Sequence, residues 1–85
     1  MANKEFNKMI GGIIKKCREK RGLKQSELAD RMGITPANIS NYERGYSCPG
    51  VETLFVLMKA LGYMVVFRPI EKEGRKYYKE IKKNV

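Results

Sequence analysis

Eighty-five residues hold one hydrophobic core and a short extension, since a second core needs about fifty residues more. Eighteen lysines and arginines against nine acids leave a formal charge of +9, which calls for an anionic partner; with no histidine, the Ser-His, Cys-His and His-metal routes to catalysis close, and no enzyme is expected. Cys17 and Cys48 make neither a disulfide framework nor a zinc site, no apolar run nears the ~20 residues of a membrane span, and the first residues lack a secretory core, so a cytoplasmic protein with reduced thiols, no metal and no cofactor is expected.

Phe6, Met9, Ile10, Ile13, Ile14 and Cys17 recur at helical spacing and predict a first helix over residues 4–21, with Gly22 as its cap. The pair Gly11-Gly12 costs on the order of 1 kcal/mol per glycine against alanine and marks the weak point, where the preceding turn frays or starts separately. Residues 26–32 form a second helix of barely two turns with Leu28, Ala29 and Met32 on one face; it stops at Gly33 and needs its neighbours to be stable. Thr35 as N-cap and Pro36 at the first helical position open a third helix, residues 36–44. On it Ile39 and Tyr42 face inward, leaving Ala37, Asn38, Ser40, Asn41 and Arg44 outside. After a loop at residues 46–50, Val51, Leu54, Leu57, Met58 and Leu61 predict a fourth helix closed by Gly62.

From Tyr63 the pattern changes. Tyr63, Met64, Val65, Val66, Phe67 and Arg68, rich in β-branched and aromatic residues and stopped by Pro69, read as a strand. It pairs either with residues 75–81 as a hairpin or with the same strand of a second copy; alternatively, Tyr77, Tyr78, Ile81 and Val85 place a short helix over residues 75–85. The chain thus divides into a helical domain, residues 1–62, and an extension with a basic tail, residues 63–85. The first carries eleven basic and six acidic side chains, the second seven and three, so the tail is the denser patch and either grips a polyanion or docks an acidic protein. Tyr77, Tyr78 and Ile81 offer too little apolar area for membrane binding.

The most informative stretch runs from Gln25 to Gly45: two short helices joined by a turn containing glycine, the pattern of a helix-turn-helix. Arg18, Leu23-x-Gln25-x-Glu27-Leu28-Ala29, Gly33, Ile39-Ser40, Glu43-Arg44-Gly45, Pro49, Leu54 and Ala60-Leu61-Gly62 together resemble the Xre family, which includes the lambda-type phage repressors and Cro proteins; the resemblance covers residues 10–62. It implies a mainly α, lambda-repressor-like helix-turn-helix bundle, here followed by a short C-terminal β-strand or hairpin. It places base-reading positions on Pro36, Ala37 and Asn41, a backbone contact on Gln25, and a structural pair on Arg18 and Glu43. Pro36 departs from the polar residue often found there.

The residue chemistry fits. Ala37 can meet a thymine methyl, Asn38 and Asn41 can pair with adenine N6 and N7, and Ser40 can reach a base or phosphate. Lys15, Lys24, Arg44, Tyr46 and Ser47 can hold flanking phosphates, which gives affinity without sequence information. The expected function is a sequence-specific DNA-binding transcriptional regulator, read as a repressor. A single module reads few base pairs, so a homodimer on a pseudo-palindromic operator is expected, with Tyr63, Met64, Val65, Val66, Phe67 and Arg68 as its seam. Four helices and a strand also resemble the HipB-type antitoxins. The alternative is therefore an antitoxin that binds a toxin protein and autoregulates its operon.

Overall fold

Local chemistry sets several of the helix ends. The computed structural model describes residues 3–69 and contains α1 (Lys4–Lys20), α2 (Gln25–Met32), α3 (Pro36–Glu43) and α4 (Val51–Ala60). Asn3 opens α1 by accepting the Phe6 backbone N–H on its side-chain oxygen, 2.9 Å. Gly33, at φ 68°, closes α2 in the left-handed region that favours glycine, and the Ile34 N–H then donates to the Ala29 carbonyl. Thr35 Oγ1 accepts the Asn38 N–H at the start of α3, where Pro36 has no N–H to satisfy. The observed ends of the first three helices lie within a residue of those expected from sequence.

The core is built from Ile14, Leu28, Ala29, Ile39, Leu57, Met58 and Leu61. α3 packs on α1 and α2, and α2 on α4, so two helices too short to persist alone are held by their buried faces. Only part of the apolar face of α1 joins this core. Ile14 is buried and Ile10 and Cys17 pack against it, whereas Phe6, Met9 and Ile13 stay about half exposed. The periodic face is wider than the surface that covers it.

The glycine pair is not a weak point. α1 runs unbroken through Gly11-Gly12, and Gly11 is buried where α1 crosses α3. A Cβ at Gly11 would stand 2.1 Å from the Tyr42 carbonyl oxygen and 2.8 Å from that of Glu43, whereas one at Gly12 would meet nothing within 4 Å. Close approach of two backbones requires the first glycine; nothing in the structure requires the second.

The expected strand is absent among the described residues. Residues 63–69 carry no regular structure, although burial alternates over residues 63–66 as a strand's would: Tyr63 and Val65 pack on the core while Met64 and Val66 are exposed; Phe67 breaks the alternation by being exposed. A strand exists only with a ladder partner, and residues 3–69 offer none. The hairpin over residues 75–81 and the alternative helix over residues 75–85 lie outside the described residues. The exit from α4 is fixed from elsewhere. Arg21 Nε donates to the Leu61 carbonyl (2.7 Å), its Nη2 to that of Gly62 (3.1 Å), and its guanidinium lies 4.7 Å from the centre of the Tyr63 ring. Arg31 Nη1 donates to the Ala60 carbonyl, 3.0 Å. Two arginines thus cover carbonyls that the end of a helix leaves without partners. Among the described residues no helix is long and apolar enough to cross a membrane.

Candidate nucleic-acid interface

α3 offers a short-chained outer surface. Pro36, Ala37 and Asn38 are exposed at its start, Ser40 and Asn41 are half-buried, and Ile39 is buried on the opposite side. A helix about 10–12 Å across, side chains included, fits the ~12 Å width of the B-DNA major groove, and the eight residues of α3 give about two turns to lie in it. Small residues let the helix axis approach base edges closely.

One charged cluster fixes how α3 is held. Arg18 on α1 meets Glu43 at the end of α3 with both faces of its fork: Nε to Oε2 at 2.6 Å and Nη2 to Oε1 at 2.9 Å. Its Nη1 donates to the Leu23 carbonyl at 2.7 Å, and Gln25 Nε2 donates to Glu43 Oε1 at 3.0 Å. The two charged side chains are only 10% and 3% exposed. Hydrogen bonding to Glu43, helped by the charges of Glu43 and Glu19, outweighs burial and holds the Arg18 guanidinium above its ordinary value, so it stays charged. The pair inferred from resemblance is present. The Gln25 link was not foreseen, because nothing in a linear spacing tells that the start of α2 meets the end of α3.

That link ties α3 to the N-terminus of α2. Lys24 occupies the N-cap, where its side chain makes no capping hydrogen bond, and its own N–H donates to Glu27 Oε1 at 2.8 Å. The first amides of α2 have no side-chain acceptor and lie beside the exposed Lys24, which is a favourable setting for an anion. Gln25 keeps its second amide hydrogen for such a ligand.

At the other end of α3, Arg44 donates from Nη2 to Asn41 Oδ1 (3.1 Å) and its guanidinium lies 4.4 Å from the centre of the Tyr46 ring. The Tyr46 N–H also donates to the Asn41 carbonyl, 2.9 Å. One lone pair of Asn41 Oδ1 is thus engaged, while a second lone pair and both amide hydrogens remain for a ligand. Arg44, Tyr46 and Ser47 are exposed next to this end, and Lys15 is exposed on α1. Along the seam expected from sequence, Met64, Val66, Phe67 and Arg68 are exposed and Tyr63 and Val65 are half-buried. The rings of Phe67 and Phe55 on α4 approach to 6.2 Å between centres, which joins the segment to an exposed apolar stretch of α4.

Residues 14–63 match the family model described as helix-turn-helix. The chain is 39% identical over 59 residues to YonR of Bacillus subtilis, an SPbeta prophage-derived uncharacterized HTH-type transcriptional regulator, covering 69% of this chain and 55% of that protein. It is 42% identical over 48 residues to the HTH-type transcriptional regulator ImmR of the same organism, covering 56% and 38%. With the uncharacterized HTH-type transcriptional regulator y4dJ of Sinorhizobium fredii it shares 36% identity over 58 residues, covering 68% and 75%. The chain therefore spans about half of YonR and less of ImmR, but three quarters of y4dJ.

Proposed function

This chain belongs to the Xre-like helix-turn-helix family, and on that footing we propose that it is a sequence-specific DNA-binding transcriptional regulator, acting as a repressor in the cytoplasm rather than as an enzyme. The observation that carries this reading is the short polar face of α3, braced through Glu43 to the start of α2. α3 enters the major groove. Pro36, Ala37, Asn38, Ser40 and Asn41 meet base edges, while Lys15, Lys24, Gln25, Arg44, Tyr46 and Ser47 meet phosphates. The names of the relatives above are those of regulators, and none points to a toxin.

Asn41→Ala tests the reading of bases. In binding to sites selected from random duplexes, the loss is expected to be about 1–3 kcal/mol on the preferred site, with nonspecific binding nearly unchanged. Equal weakening on every sequence would remove Asn41 from the base readers and leave α3 as a general grip.

The regulator acts as a homodimer on a pseudo-palindrome, with half-sites about one helical turn (~10 bp) apart. Supporting this, Met64 and Phe67 are 83% and 86% exposed and continue into Phe55 and Val56, an apolar surface that a second copy would bury. Val66→Lys/Phe67→Glu, two changes at exposed positions, is expected to halve the sedimenting mass without altering helical content. A parent protein that already sediments as a monomer at tens of micromolar would sink the dimer and leave the single-module contacts standing.

A further inference from the structure

We propose that Lys4 and Lys8 of α1, together with Arg44 and Tyr46, form an additional phosphate site, which takes the DNA backbone bordering the groove that α3 enters. The site rests on the DNA-binding reading and extends it beyond the matched residues: α1 begins at Lys4, whereas the family match begins at residue 14.

Lys4, Asn7 and Lys8 share one face of α1, three and four residues apart. That face lies against the loop after α3 at Gly45, which has φ 75°; a Cβ there would be 2.8 Å from Lys8 Cγ and 3.0 Å from Lys8 Cα. The approach, permitted by glycine, creates an open cavity of about 450 Å³ lined by Lys4, Asn7, Lys8, Arg44, Gly45 and Tyr46. Three cations, an amide and a phenol line it, with no carboxylate among them; Glu5, the acid in the first turn of α1, is not part of the lining. Like charges gathered around one hollow repel each other, and an anion relieves that repulsion. Arg44 is already positioned by Asn41 and the Tyr46 ring, so little of its freedom is lost on binding.

Position favours the duplex over a free ion. Arg44 and Tyr46 directly follow the C-terminal end of α3, so a duplex whose groove holds α3 brings its backbone beside this loop. The three cations of the cavity are exposed, within reach of a polyanion passing over the surface.

The test is Lys4→Met/Lys8→Met, which removes two charges but keeps unbranched stems, including the one at position 8 that packs at Gly45. On the preferred duplex the slope of log K against log salt is expected to become shallower by about 1.8, with the ranking of sites unchanged. Hydroxyl-radical protection is expected to vanish at the outer backbone positions of each half-site and to persist at the centre. Lys59→Met, on α4, is the single-charge control and should leave the footprint intact. A double variant with the slope and footprint of the parent overturns the site while leaving the DNA reading in place. A parent that protects no duplex overturns both. Titration with inorganic phosphate alone, followed by the amide resonances of Lys8 and Gly45, separates the remaining source: a saturating shift in a protein whose footprint ignores the two lysines assigns the cavity to a free anion and overturns the proposal.

Discussion

Glu43→Ala is expected to remove about 3–5 kcal/mol of stability, because it leaves the Arg18 guanidinium nearly buried with no opposing charge. At the usual ~0.05–0.15 kcal/mol per residue, a chain of this length has only about 4–13 kcal/mol in total, so the variant should lose between about a quarter and all of its stability. Urea denaturation followed by circular dichroism measures the loss. Arg18→Met/Glu43→Leu should recover much of it, since two apolar side chains remove both the stranded charge and its desolvation penalty. A single-variant loss below about 1 kcal/mol would mean that the pair behaves as an exposed one and that Gln25 and the Leu23 carbonyl do not depend on it. In the double variant, stability returns but the tie from Gln25 to α3 does not. Weak DNA binding by that folded protein would separate the positioning role of Glu43 from its contribution to the fold.

The adjacent glycines of α1 should respond in opposite directions. Gly12→Ala is expected to stabilise by about 1 kcal/mol, the ordinary helix preference, because the new methyl meets open space. Gly11→Ala is expected to destabilise by about 2–4 kcal/mol despite the same preference, since its methyl would overlap the Tyr42 carbonyl oxygen and force α1 away from α3. The backbone cannot yield there as a flexible side chain would. Denaturation midpoints of the two variants decide the matter: a gain at both positions would show that α1 and α3 do not approach as described.

These two experiments also mark where sequence is informative and where it is not. Gly33, Thr35 and Pro36 announce the boundaries of α2 and α3 because capping is chemistry between near neighbours. The outer and inner faces of α3 follow from its period. Gly11 was read as a flaw because propensity scores a residue by its own helix, whereas its role is set by Tyr42 and Glu43, thirty residues away. Phe6, Met9 and Ile13 share the apolar face of α1 yet stay half exposed for a related reason: periodicity gives the direction of a face but not the breadth of the surface opposite. Arg18 and Glu43 paired through family resemblance, not through spacing. The Arg21 contacts with the end of α4, and the meeting of Lys8 with Gly45, depend on folded geometry that no local pattern encodes. The segment at residues 63–66 alternates as a strand would but lacks what only a partner provides.

The Arg21 clasp has a consequence for any two-fold assembly built on the segment it holds. With Leu61, Gly62 and Tyr63 all gripped from the end of α1, the chain leaves the bundle at a set angle instead of swinging on a tether. Two protomers closed through that exit would form a caliper with fixed jaws. Such an instrument measures separation along the duplex as well as composition, so an operator lengthened by one base pair turns the far half-site by roughly 35° and takes it out of register with the second jaw.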